Sequence, residues 1–299
     1  MNKLLFSTIA IGTIVSNTFA GADIEVSVSN FNAKSHEYVY DGTYSFDGRK
    51  ISELVWEAKN VSLLGLGLKY SFFNNFALFA NYKHNLSDTD GTMDDYDWLA
   101  VDPTVRTHWS HHDSTDVTKV ELIDIGLKYI LKFSENTLDV DFTLGYKQEK
   151  QDFKAYGGSF DYFGVKWTEP DSKLMITYKQ QYKGPYLGAS ISKTVKNFNL
   201  NAGIRYSAWI KPEFSDTHHQ RIPPFTISTD FDNAKMVTYN VGTSYKLNDN
   251  NIFSLDYEYT KYEQERGPYL RTDFIEPLAN SLGIESKNNL LTFNYNYLF

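Results

Sequence analysis

The chain of 299 residues contains no cysteine. Disulfide staples, thiolate metal sites and cysteine nucleophiles are therefore excluded. A small secreted domain would need such staples, but a barrel of about 280 residues closes without them. Past the first twenty residues there is no run of about 18 apolar residues, so no helix is expected to cross a membrane. Helical periodicity is scarce, and no linker or shift in composition marks a second domain. Positive charge is in short supply: 29 Lys and Arg against 37 Asp and Glu give a formal net charge of −8. That balance disfavours nucleic acid and favours cationic ligands.

The first twenty residues read as an export signal. Lys3 precedes an apolar core over residues 4–15, and Thr18-Phe19-Ala20 stands at the cut, with a second cut offered after Ala22. Residues 21–299 are then expected to form a single domain.

Aromatic residues are what the chain has in excess: 22 Tyr, 21 Phe and 5 Trp make 16% of it, at a mean hydropathy of −0.43. A wall that alternates apolar-out and polar-in averages to such a value while still facing lipid. At the end of the chain Phe293, Tyr295, Tyr297 and Phe299 share one strand face, and Asn294 and Asn296 the other. Rings on a terminal strand suit a membrane boundary, and a closing strand leaves no free edge.

Period two predicts strands over residues 24–40, 51–72, 77–86, 117–133, 138–153, 173–194, 198–210, 227–247 and 252–265, and a closing strand up to 299. Four connections are very short and five are long, the outer-membrane pattern of tight inner turns and larger outer loops. The expected fold is all-β: a ten-stranded antiparallel transmembrane β-barrel with long extracellular loops. Such a narrow barrel is expected to be plugged by its own polar side chains rather than open as a pore. Strands longer than the roughly 9 to 11 residues that cross a bilayer should lift its mouth above the membrane.

Two constellations stand on the long loops. In the acid-rich loop 87–115, Asp95-Tyr96-Asp97 puts two carboxylates on one face of an extended segment, where they raise each other's pKa and can share a proton or a water. Asp88-Thr89-Asp90-Gly91 lacks the oxygen spacing and closing glutamate of a calcium loop. In the loop after the seventh strand, Asp216-Thr217-His218 allows the Asp to orient the imidazole as a general base. The two loops lie almost opposite each other across a ten-stranded mouth. His108, His111 and His112 beside Asp113 match no metalloprotease helix, so no metal site is expected. Ser110 and Ser114 have no nucleophile elbow.

Further stretches carry a resemblance. They are Glu37-Tyr38-Val39-Tyr40, Gly48-Arg49-Lys50, Asp95-Tyr96-Asp97-Trp98, Ser110-His111-His112 running to Thr115, Gly145-Tyr146 and Ala155-Tyr156-Gly157-Gly158. Tyr178-Lys179-Gln180, Pro185-Tyr186, Tyr206-Ser207-Ala208-Trp209 and Asp216-Thr217-His218 continue it. Over essentially the whole mature chain the sequence resembles the omptin family of outer-membrane endopeptidases. The resemblance implies a bacterial outer-membrane location, with the active site facing the exterior and no cofactor. It implies that a water held by Asp95 and Asp97 attacks the peptide carbonyl directly, with His218 taking its proton and Asp216 orienting His218. Ser110 and His112 would flank the substrate.

The same resemblance assigns Glu37 to the pocket for the residue before the scissile bond. The second acid of that pocket is replaced by Phe214, and the acid beyond the bond is replaced around His108. The expectation is a preference for Arg over Lys before the cut, in peptides or proteins of cationic character, with little demand for a basic residue after it. Lipopolysaccharide, on which family members depend, would contact Tyr146 and Lys150. Gln148 and Gln181 replace an acid and an arginine there, and a lysine gives way near Asp232, which weakens phosphate recognition. The competing reading is a catalytically inactive outer-membrane barrel acting as adhesin or receptor. Retention of Asp95, Asp97, Asp216 and His218 together favours the enzyme.

Overall fold

Backbone amides inside a bilayer find no water, so membrane strands must pair along both edges. The computed structural model describes residues 21–41, 48–73, 75–133, 137–273 and 276–299, and its strands pair around a closed ring. The expected export signal lies outside the described residues. The strands are β1 (Ala22–Tyr40), β2 (Lys50–Phe72), β3 (Phe76–Asn85), β4 (Thr89–Asp97), β5 (His108–Phe133) and β6 (Leu138–Tyr162). They continue with β7 (Val165–Val195), β8 (Phe198–His218), β9 (Phe225–Asp230), β10 (Ala234–Lys246), β11 (Asn251–Arg271) and β12 (Leu278–Leu298). β1 pairs with both β12 and β2, which closes the ring.

Two of the ten staves are broken. β3 and β4 both lie between β2 and β5, end to end, so they form one stave interrupted at residues 86–88. β9 and β10 share the space between β8 and β11 in the same way, interrupted at residues 231–233. Twelve strands in two such pairs and eight singles make the expected ten staves.

The long loops differ from expectation, because most of them are strand. β4 and the start of β5 occupy the expected loop 87–115, and β6 and β7 continue to within a few residues of each other. Catalytic candidates Asp95, Asp97, Asp216 and His218 therefore all lie on strands. Toward the rim, positions such as Asp95, Asp97, Ser110 and His112 are polar and the outward ones meet water, so a regular apolar alternation is lost there. Backbone pairing does not need it.

Leu64, Leu66, Leu68, Val28, Leu144, Leu200 and Val241 form part of an exposed apolar belt. On the closing strand Phe293, Tyr297 and Phe299 are exposed, while buried Asn294 donates to Ser254 Oγ at 2.8 Å and Asp256 Oδ2 at 2.7 Å. The interior has two storeys. The lower is polar: Arg205 Nη1 reaches Asp124 Oδ2 at 3.0 Å and Glu258 Oε2 at 3.2 Å, and Lys147 Nζ reaches Glu258 Oε1 at 2.6 Å. Cavities of 330 and 400 Å³ lie among these groups. The upper storey is apolar, so the polar plug expected from the sequence fills only the lower part. Trp56 stacks on Tyr178 at 4.9 Å, and Phe153, Phe214, Met93 and Phe31 pack around them. Inward positions above the membrane are free to be apolar because the outward ones need not be.

That exchange of faces requires a change of parity, and β-bulges supply it. On β8, Ser207 pairs with Met236 and Ile210 with Ala234, so Ala208 and Trp209 together face Lys235. Even-numbered residues point out below this bulge (Ile204, Tyr206) and in above it (Ile210, Phe214, Asp216). On β2 the extra residue falls near Asn60, which adopts φ +55°. Leu64 and Leu66 face out below it, and Trp56 and Leu54 face in above.

The bulge can be tested with a Phe214→Cys substitution, since the chain has no other thiol. The cysteine should resist a water-soluble maleimide in the folded barrel and label readily when Ala208 is deleted. Both proteins should keep the heat-modifiable gel mobility of a closed barrel. Equal labelling of the two would refute the parity argument.

Candidate active site

One row of the strand ladder carries the chemistry around half the mouth. Glu37 pairs with Leu54, Leu54 with Asp95, Asp95 with Ser110, Ser110 with Phe160, and Phe160 with Trp167. Asp97 lies one alternation higher on β4, opposite Ser52 and His108. Burial pushes the Asp95 carboxyl up to about 8, helped by the charge of Asp97. Asp97 is also raised by burial, against the opposing influence of Ser52 and His108, whose Nδ1 lies 4.0 Å from Asp97 Oδ2. Two neighbouring carboxyls raised together favour keeping a proton on the pair.

Asp216 and His218 stand on β8 above its bulge, next to Tyr178 and Ile176 of β7. Asp216 is wholly buried, and its Oδ2 lies 3.0 Å from His218 Nε2. The approach is that of an ion pair rather than an aligned hydrogen bond, for neither Asp216 oxygen has a hydrogen-bond partner. The ring of His218 stacks on Phe225 at 4.7 Å. Burial lowers the His218 pKa, but the neighbouring Asp216 and Asp95 outweigh it and hold the imidazole above its ordinary value. Asp95 and His218 border the same cleft of 200 Å³. The structure thus brings together the two pairs found in the sequence.

Ser110 and His112 stand beside them. Ser110 Oγ is 3.1 Å from His112 Nε2, both residues are buried, and burial pulls the His112 pKa down. Gly158 allows this approach: it adopts φ +117°, and a Cβ there would come within 2.7 Å of His112 Nδ1. His111 leaves the group. It turns away to contact Asp94 at 2.8 Å and Asp113 at 2.7 Å, so His111 and His112 do not converge.

Glu37 is fully buried, and neither of its carboxylate oxygens has a hydrogen-bond partner. Burial, then the charges of Asp216 and Asp95, holds its carboxyl well above the ordinary range. Phe214 packs on Tyr178 at 5.6 Å and is only 5% exposed. Glu37 and Phe214 therefore form a closed floor here, not the walls of an open pocket. On the outer wall Tyr146 is exposed, and Lys150 lies 3.4 Å from Glu121. Gln148 and Gln181 are engaged with Glu121 and Glu213.

Sequence reasoning missed Arg221, Phe160, Tyr162 and Trp167, which line the cleft with Asp95 and His218. Arg221, three residues beyond His218, could have been noticed as a basic residue in an acidic mouth. The aromatic residues gave no such signal among the 22 Tyr, 21 Phe and 5 Trp of the chain.

A sequence model of the omptin family matches residues 18–299. The chain is 29% identical to the plasminogen activator of Yersinia pestis over 283 residues, covering 92% of this chain and 89% of the relative. It is 26% identical to the outer membrane protease OmpP of Escherichia coli K12, covering 92% and 89%. The crystal structure of the outer membrane protease OmpT from Escherichia coli superposes with a TM-score of 0.88 at 22% identity, over 96% of this chain and 99% of that one. A closed barrel of ten staves, with a family match along nearly its full length, places this chain in the omptin family of outer-membrane proteases.

Proposed function

We propose that the protein is an endopeptidase of the outer membrane that cleaves by direct attack of water. The observation that carries this reading is the shared cleft: Asp95, raised with Asp97, and His218, paired with Asp216, border one space. A water held by Asp95 and Asp97 gives a proton to His218 as its oxygen attacks the carbonyl carbon. His218 Nε2 is turned to Asp216, which leaves Nδ1 to accept that proton. The proton retained by the Asp pair stabilises the developing oxyanion, and the imidazolium then protonates the leaving amine. No metal or cofactor takes part in this scheme.

Replacing His218 or Asp97 by Ala should lower kcat by about 10²–10⁴-fold while leaving a heat-modifiable barrel. The same assay on a basic peptide should keep its rate in chelator. Lipopolysaccharide at Tyr146 and Lys150 would compete with Glu121 for Lys150, so adding it should change the rate by less than about fivefold. A fully active His218→Ala protein would refute the mechanism.

The pH profile follows from the signs of the shifts. His218 must be neutral to act as base, and its pKa is raised, so kcat/KM should climb only above pH 6.5. The Asp pair must keep one proton, so activity should fall again past about 8. Asp216→Asn removes the anion that favours the imidazolium, and the acid limb should move to lower pH. An unmoved acid limb would exclude Asp216 as its partner.

Specificity before the cut is assigned to Glu37, supported by a buried carboxyl that lies against the carboxyl of Asp216 with no cation beside it among the described residues. A guanidinium that opened this closed floor would satisfy it and stack on Phe214, favouring Arg over Lys. Profiling a randomised peptide library with wild type and Glu37→Gln tests this. If the substitution leaves a preference for basic residues intact, the assignment is wrong.

A further inference from the structure

The catalytic staves β4 and β8 divide the mouth into two arcs. Glu37, on β1, belongs to the arc of β9, β11, β12, β1 and β2. The 200 Å³ cleft opens into the other arc, formed by β5, β6 and β7. Its wall is flat and apolar: Phe160 and Trp167 stack at 4.9 Å with 7° between their planes, and Tyr162 meets Trp167 edge-on at 4.8 Å. Two cations border it. Lys173 is held by Glu169 at 2.8 Å. Arg221 is exposed and has no carboxylate within ion-pair distance among the described residues. Its charge is nevertheless felt at Asp95, Asp97, His218 and Tyr162.

A guanidinium without an anion, in one cleft with a wall of stacked rings and with Asp95 and His218, suits a carboxylate carried on a short apolar stem. We propose that Arg221 and the Phe160–Trp167 wall form a subsite for a carboxylate on the residue that follows the scissile bond. The proposal rests on the endopeptidase reading. A peptide whose preceding side chain points to Glu37 must cross the line from Asp95 to His218, and its next residue then falls in the Arg221 arc. The carboxylate has two possible sources: an Asp or Glu side chain, or the free end of a peptide that terminates there.

The test uses peptides with Arg before the cut and Glu, Gln or Lys after it. A further pair ends one residue after the cut, as free acid or as amide. Wild type should cleave the Glu peptide with a kcat/KM about tenfold above the Gln peptide, and further above the Lys peptide. Arg221→Ala should erase the difference between Glu and Gln, and Arg221→Glu should reverse the order of Glu and Lys. If the free acid outpaces its amide while internal Glu gives no gain, the chain end is the source. An equal loss on every peptide in Arg221→Ala would overturn the subsite, since Arg221 would then act on the catalytic carboxylates alone. Anisotropy with labelled peptides and the Asp97→Ala protein reads binding without hydrolysis. Arg221-dependent preference there, with no cleavage by wild type, would sink the endopeptidase reading and leave the subsite standing. No preference in binding would sink the subsite.

Discussion

A side chain on a strand has two directions to point, and this barrel must serve two surroundings with that single choice. Around the bilayer the outward direction belongs to Leu, Val and aromatic residues, so polar groups are forced inward. Above the bilayer the assignment reverses, and the reversal is made by one extra residue at a time. The bulge at Ala208 and Trp209 carries β8 from a lipid-facing Tyr206 to an inward Phe214, Asp216 and His218. Without it the same sequence would present Asp216 and His218 to the outside. The site therefore depends on local slips in pairing that leave the hydrogen-bonded ring closed.

The reversal also explains why the site has a dry floor. Trp56, Tyr178, Phe153 and Phe214 fill the barrel just below Asp216, separating the mouth from the polar lower storey. Carboxyls placed on such a floor lose hydration, and desolvation is the largest influence on Asp95, Asp97 and Glu37 alike. The stability cost has a definite sign. A carboxyl whose pKa is raised on folding contributes fully below its unfolded value of 4.5, in the case of Glu37, and that contribution is lost as pH rises toward the folded value. The continuous ladder of the ring, with β1 locked between β2 and β12, supplies the rigidity that holds these groups together.

Charge is distributed unevenly across the mouth. One arc holds Glu37, and the other holds Arg221 with Lys173 beside it. A chain lying across the line from Asp95 to His218 would have the buried carboxyl of Glu37 on one side and the exposed guanidinium of Arg221 on the other. Such polarity favours one direction of binding over its reverse.

Alternation alone determined the ten staves, the aromatic closing strand and the lipid-facing rows, because a two-residue period is written directly into the order of residues. The spacings Asp95-x-Asp97 and Asp216-x-His218 likewise fixed both pairs, since alternate residues of any extended segment share a face. Tertiary structure decided which face that was. Ala208 and Asn60 look ordinary in sequence, and a bulge shows itself only through the register of the neighbouring strand. Tertiary structure also converted the expected loops into strand, because backbone pairing at the polar rim does not need an apolar alternation that could be read. It closed Glu37 and Phe214 into a floor and brought Arg221 to one cleft with Phe160 and Trp167, groups 54 to 61 residues apart by their numbers, because lateral neighbours in a ring are set by pairing and not by sequence distance.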